Sequence, residues 1–598
     1  MYRKQFYVLG VVVLTLSMIL AACGTPATPA PTQPPPAATE APPPAAAQTE
    51  APVATEAPAA TEAPAATEAP TEPPAAAAGA DTIIIGTTDT VASFDPADAY
   101  AVRDWEIIRN INEGLLKWKP GTGDELVPAM ATAMPTISDD GKTYTFTLRD
   151  GIKFGDGSDF NAQIYADSMN RTIKIGPDCP NGVAGALVTP YLDSVEAPDA
   201  KTVVFHLKQP VAYFLQLVAS ATYTVANPKN FPADACTLFP TPPVYGTGPW
   251  FVSQFVADQQ IVFEPNPYYT GDLKPQVKQV IVRFFSDPQT EALAVQNGEI
   301  DVAWRYLGGE LIGQLKGVQG LHVGTINGGS IRYLILNHTM KPMDDPNVYK
   351  ALAYAVDRND IADTVFGGEV NPIYSMVPPG FLGASEAFDT MYASPDLDKA
   401  KASLAASGYT EANPLQLELW YPPEHYGTQT AAWMQVIQKQ FEATGAIKVT
   451  LKSQEWSTYV TACTGGDSYA GCVLGWFYDY PDASNYLEPF IFNGGQGTNI
   501  SPSAEGTQYG KPINDQAQKL VDLMAQSDVE TDLTKRADLL KQAQDIYADL
   551  VVTLPLFLNP EYVVFRDNIH ASDQYATPET LNIGGTIEFN YSTLSKTP

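Results

Sequence analysis

The chain has 598 residues, with 67 acidic against 35 basic side chains and a formal net charge of -32. So acidic a body is repelled by nucleic acid and by anionic lipid, which excludes both as general partners. Its length is about twice that at which single hydrophobic cores stop growing, so at least two lobes are expected.

Arg3 and Lys4 precede an apolar run from Val8 to Leu20, and Leu20-Ala21-Ala22-Cys23 closes it. A positive start, a short apolar stretch and small residues before a cysteine form the pattern of a lipoprotein signal over 1–22, with Cys23 the lipid-modified first residue of the mature chain. The apolar run is short for a membrane span. Residues 23–80 are almost entirely Ala, Pro, Thr and Glu, with Thr-Glu-Ala-Pro starting at Thr39, Thr49, Thr55, Thr61 and Thr67. This composition buries no core. Recurrent proline favours polyproline II at ~3.1 Å per residue, a tether reaching on the order of 150 Å. The expected location is therefore the outer face of the cytoplasmic membrane, at the cell surface or in the periplasm.

From Asp81 onward, strands and helices interleave, as in an α/β protein. Thr143 to Leu148 and Thr202 to Leu207 alternate apolar and polar residues, and Gln260 to Glu264 and Val277 to Phe285 are β-rich. Helices are expected from Ser286-Asp287-Pro288 to Gly298, from Asp345-Pro346 to Gly367-Gly368, from Ser394-Pro395 to Gly408, through Trp433 to Gly445, and from Leu533 to Leu550. Leu554 to Phe557 reads as a closing strand.

Four cysteines follow Cys23: Cys179, Cys236, Cys463 and Cys472, an even number in an oxidising compartment. Cys463 and Cys472 bracket a Gly-rich loop, which favours local closure and leaves Cys179 for Cys236. The absence of CxxC and the scatter of the histidines give no support for a metal site, and no cofactor is implied. The usual nucleophile, zinc and phosphate motifs are also missing. Gly466-Asp467-Ser468 is the one faint hydrolase-like feature, and it reads better as a turn.

Several blocks occur in a fixed order. They are Ser93-Phe94-Asp95-Pro96 with Asn112-Glu113-Gly114-Leu115-Leu116, Asp140 to Phe154 with Asp156-Gly157 and Asn161-Ala162, Gly246-Thr247-Gly248-Pro249-Trp250, Asn297 to Asp301, Ala351 to Arg358, Gly408-Tyr409, Gln454-Glu455-Trp456 and Gly475 to Tyr480. Together they resemble the family 5 extracellular solute-binding proteins, the oligopeptide and dipeptide receptors of ABC importers. The resemblance implies a periplasmic-binding-protein-like type II clamp, two α/β lobes around a hinge cleft with an additional inserted domain. Domain I would comprise 81–117, 218–325 and 554–598, domain II 118–217 and domain III 326–553.

The resemblance also implies a site. Tyr100, Ala101 and Val102 would line the cleft, and the strand Leu474, Gly475, Trp476 and Phe477 would pair with ligand main chain. Asp479 would grip a peptide's α-ammonium, and Trp456 and Trp476 would form pocket wall. No Arg or Lys matches a partner for the peptide's C-terminal carboxylate. The expected protein is a monomeric, non-enzymatic, lipid-anchored receptor that binds a small solute, chiefly oligopeptides, and delivers it to an ABC permease. An oligosaccharide receptor of the same fold, with the tryptophans stacking on sugar rings, and a secreted hydrolase using Ser468 are the alternatives.

Overall fold

The computed structural model describes residues 81–119, 125–326, 329–423, 425–427, 429–571 and 588–597. All of these belong to one compact unit, 76–598. The expected signal peptide, Cys23 and the Pro-rich tether lie outside the described residues.

Two large sheets organise this body. The first has seven strands in the order Leu321–Ile326, Glu561–Arg566, Val302–Trp304, Thr82–Thr87, Gln279–Phe284, Gln260–Pro265, Trp250–Val256. Its central strand is apolar on both faces because both are covered. Ile83 and Ile85 enter one core and Ile84 the other, as the two-residue period of a strand requires. The second sheet has six strands in the order Asn371–Pro372, Thr553–Leu558, Ile331–Leu336, Gly471–Trp476, Leu415–Tyr421, Ile447–Ser453. Ile331–Leu336 is buried throughout, between Thr553–Leu558 and Gly471–Trp476.

The chain passes between these sheets twice, once after Ile326 and once through Asn559-Pro560. The Asn559 N–H donates to the Ser330 carbonyl at 2.7 Å, so the two crossings are stitched side by side. Two short adjacent connections between rigid sheets make a hinge.

A smaller four-stranded sheet, Thr136–Ile137, Thr143–Thr147, Thr202–Leu207 and Leu192–Glu196, is inserted into the first lobe. Thr202–Leu207 alternates buried and part-exposed residues, matching its sequence pattern. The inserted core is continuous with Trp105 and Ile108 of the Val102–Ile111 helix, whose Ile107 and Ile111 enter the core of the seven-stranded sheet. One helix therefore fixes the insertion to the first lobe.

Local chemistry explains most boundaries. Asp287 caps the helix Pro288–Asn297 through Thr290 N–H, and Gly298 ends it at φ 78°. The single helix expected from Asp345 to Gly367 is instead two, Pro346–Ala355 and Arg358–Phe366. Asp357 breaks it by turning extended and accepting from Asp360 N–H, an N-cap that the apolar periodicity conceals.

Disulfides join Cys179 to Cys236 and Cys463 to Cys472. The second closes the loop that carries Ser468, whose hydroxyl donates to Asp467 on an exposed turn. Replacing Cys463 and Cys472 with serine is expected to lower unfolding free energy by about 2–3 kcal/mol through loop-closure entropy, measurable as a lower denaturation midpoint.

Candidate functional site

The site lies where the Gly471–Trp476 strand leaves the second sheet and faces the first lobe. Gly471 to Leu474 are buried, while Gly475, Trp476 and Phe477 emerge half-buried. Leu474 faces the core of its own lobe rather than the crevice. Phe477 packs against the apolar cores of both large sheets.

The strand pairs fully with Ile331–Leu336 on one side but pairs with Leu415–Tyr421 only at Cys472. The resulting edge must be satisfied otherwise. The Tyr459 hydroxyl takes the place of a neighbouring strand at Val473, accepting from its N–H at 2.8 Å and donating to its carbonyl. The Gly475 N–H donates to the Tyr426 hydroxyl at 2.8 Å, and the Gly475 carbonyl receives only a 3.5 Å contact from Tyr333. A ligand strand pairing at Gly475 would therefore have to displace Tyr426. A Cβ at Gly475 would come within 2.6 Å of the Arg332 guanidinium and 3.0 Å of the Tyr426 ring, so any larger residue would have to push the Arg332 head group aside.

Asp479 follows four residues later. Asn485 holds it from two sides. The Asn485 side-chain amide donates to Asp479 Oδ2 at 3.0 Å, while Asn485 Oδ1 accepts from the Asp479 N–H at 2.8 Å and from the Trp476 indole at 3.2 Å. The Tyr100 hydroxyl of the other lobe is the second partner. Both side-chain partners are neutral. Burial pushes the Asp479 carboxyl up to about 6 against these two hydrogen bonds. Tyr100 is 45 % exposed as a residue, yet desolvation around its hydroxyl and the adjacent Asp479 raise the phenol well above its ordinary value. The site thus holds a partly desolvated carboxylate without a cation facing it among the described residues.

Of the other expected residues, Ala101 is the extended N-cap of the Val102–Ile111 helix, and Val102 packs half-buried on the first lobe's core. Trp456 begins the helix Trp456–Thr464 and is stacked on His425 at 3.4 Å and 2°, so one ring face is already covered.

A cationic region that sequence reasoning missed flanks this strand. Arg332, 8 % exposed, lies opposite Gly475 and stacks over the Tyr426 ring at 4.4 Å. Arg305, 3 % exposed, pairs with Asp89 at 2.8 Å. Arg305 and Tyr306 both have positive φ, 78° and 61°, a strained pair that the surrounding fold must hold in place. Burial raises the Glu561 carboxyl while Arg305 and Arg332 act to lower it. His425 is pushed down to about 4 by burial and by Arg332. These residues come from separate stretches of chain, and no local motif marks them. No group of three or more His, Cys, Asp or Glu capable of holding a metal occurs among the described residues, and none of their helices is long and apolar enough to cross a membrane.

Two hinged α/β lobes with an inserted domain, facing each other over a half-buried carboxylate and a partly open strand edge, define a solute-binding clamp. Residues 125–498 match the family model described as bacterial extracellular solute-binding proteins, family 5 Middle, and the chain belongs to that family. The Bacillus subtilis oligopeptide-binding protein OppA is 29 % identical over 515 residues, covering 82 % of this chain and 90 % of its own. Among solved structures, the periplasmic binding protein DppA from Helicobacter pylori, in complex with the peptide STSA, superposes with a TM-score of 0.69 at 23 % identity. That match covers 86 % of this chain and 98 % of DppA. AgaA from A. tumefaciens R10, in complex with agropinic acid, does so with a TM-score of 0.68 at 22 % identity, covering 86 % and 99 %. The fold is the type II periplasmic-binding-protein clamp, and the family is one of extracellular solute-binding proteins.

Proposed function

We propose that this protein is a monomeric, lipid-anchored receptor that encloses oligopeptides between its lobes and hands them unaltered to an ABC permease. The carrying observation is Asp479, a half-buried carboxylate whose side-chain partners are two neutral groups, placed just beyond a strand edge with main-chain groups to offer. A peptide's α-ammonium supplies the missing charge, and its amides supply partners for the edge. Backbone pairing ignores side-chain identity, so one such cleft accepts many sequences. The names of the relatives, an oligopeptide-binding protein and a receptor holding STSA, support the same solute class. Delivery to a permease rests on the family. The anchor rests on Cys23 and the leader before it.

Calorimetry with a mixture of tripeptides, and with the same mixture N-acetylated, tests the reading. Much tighter binding of the free-amine set is expected, and equal affinity for both would overturn the role of Asp479. Mass spectrometry of solute released by denaturing protein purified from cells is expected to show peptides.

An oligosaccharide reading rests on Trp456 and Trp476. It is weakened by the burial of one Trp456 face under His425 and by the Trp476 indole's bond to Asn485. Cello- and xylo-oligomers are expected to leave the melting temperature unchanged.

A further inference from the structure

The lobes also meet away from the strand edge, at the inserted domain. Tyr480 follows Asp479 in the second lobe, yet it is 2 % exposed within the inserted domain's core. Its ring stacks on Tyr213 of that domain at 5.0 Å and 14°. Beside it, the Ala212 N–H donates to the Asp528 carbonyl at 2.6 Å. Among the described residues the chain crosses between the two large sheets only at the hinge, and these contacts join the second lobe to the inserted domain, so a hinge opening that parts the two would break them.

Four charged groups surround this junction. Arg536 grips Asp482 through two bonds of 2.7 Å, with its guanidinium 5.6 Å from the centre of the Tyr213 ring. The carboxyls of Glu488 and Asp528 hydrogen-bond each other. Glu488 Oε1 and Asp528 Oδ1 are buried and have no other donor. Two ionised carboxylates only accept, so that bond requires a proton on one of them. The Tyr213 hydroxyl stands 3.4 Å from Glu488 Oε2 and 3.4 Å from the Tyr191 hydroxyl, covering the pair from the inserted domain. Tyr480, Tyr509 and Ser527 also face the pair, and Arg536 is the cation that acts on it most strongly.

We propose that Glu488 and Asp528 form a proton-operated latch, in which closure of the clamp traps one proton shared between two carboxyls that the open clamp leaves hydrated and ionised. Burial raises both carboxyls above the ordinary range; Asp528 and Asp482 add to the rise at Glu488, while at Asp528 the bond to Glu488 and the Arg536 charge oppose it. A group that binds protons more tightly when closed favours closure as pH falls and loses that contribution as pH rises through its raised value. Opening withdraws Tyr213 and Ala212, admits water and frees the proton. The latch rests on the clamp architecture and not on the identity of the solute.

The test is hydrogen exchange read by mass spectrometry on the full chain in detergent micelles without added solute, at pH 5 and pH 8 and corrected for intrinsic exchange. Segments containing Ala212-Tyr213 and Tyr480 to Glu488 are expected to lose about tenfold protection at the higher pH, while the Thr82–Thr87 strand does not change. In Glu488→Gln the amide donates to Asp528 as the proton did, so protection is expected to stay high at both pH values. Asp528→Asn is expected to behave alike, and it decides the matter if the first variant loses protection in Thr82–Thr87. Equal protection of the wild type at both pH values, or an undiminished pH response in a folded variant, would overturn the latch. No peptide is present, so that failure leaves the peptide assignment standing.

Discussion

Asp479→Asn is expected to weaken binding of a free-amine tripeptide by about 30- to 1000-fold, corresponding to about 2–4 kcal/mol for a charge-assisted bond in a desolvated cleft. The variant keeps the shape and the hydrogen-bonding contact to Asn485 and removes only the charge that faces the ammonium. N-acetylated peptides, which lack that ammonium, are expected to bind wild type and variant alike. The wild type carries a further signature. Its ligand-free carboxyl sits at about 6, so an arriving ammonium must expel a proton below that pH. Affinity is therefore level above about pH 6 and falls by up to about tenfold per pH unit below it, whereas Asp479→Asn shows no such fall. The latch works in the opposite direction, favouring closure in acid, and Glu488→Gln separates the two effects. Titration calorimetry across pH 4.5 to 8 checks all of these outcomes.

Asp95→Ala is expected to destabilise the body by about 3–5 kcal/mol, the range for breaking a buried ion pair. Asp95 is fully buried and receives Arg171 at 2.9 and 2.6 Å, together with the N–H groups of Ala97 and Thr237. Arg171 also donates to the carbonyls of Pro232 and Ala235. One carboxylate thus binds the Asp-Pro turn, the Ala162–Ile175 helix of the inserted domain and the 232–237 loop. Removing it strands a guanidinium that is 6 % exposed. A lower guanidinium chloride midpoint reads this loss. Lys201→Ala, which deletes an exposed pair with Asp150, is the control and is expected to move stability by less than about 1 kcal/mol. A variant at Asp95 no less stable than the control would refute the assignment of this carboxylate as a tie between segments.

The Asp-Pro turn shows how a short motif can be legible before its purpose is. Ser93-Phe94-Asp95-Pro96 is visible as a block of the family resemblance, but nothing near it in sequence announces Arg171, 76 residues away. Asp479 was reached in the same manner, from the block beginning at Gly475. Asn485, which holds Asp479, lies only six residues on and still carries no local mark, because an asparagine before a tyrosine fits any helix start. The split at Asp357 was missed because its cap competes with an apolar period that runs on across it.

By itself the sequence determined what depends on neighbours along the chain: the acidic charge, the α/β alternation, strands such as Thr202–Leu207 whose burial follows a two-residue period, and helix ends set by Asp287 and Gly298. Only the tertiary structure decided which groups lack partners. Asp479 lies among neutral partners, the Tyr426 hydroxyl sits on the Gly475 edge, and Glu488 meets Asp528 beneath Tyr213, because segments remote in sequence are brought together across the hinge and the inserted domain. Desolvation and hydrogen-bond satisfaction are properties of that three-dimensional surrounding and have no one-dimensional pattern, whereas periodicity and capping act within a few residues and are written directly in the chain.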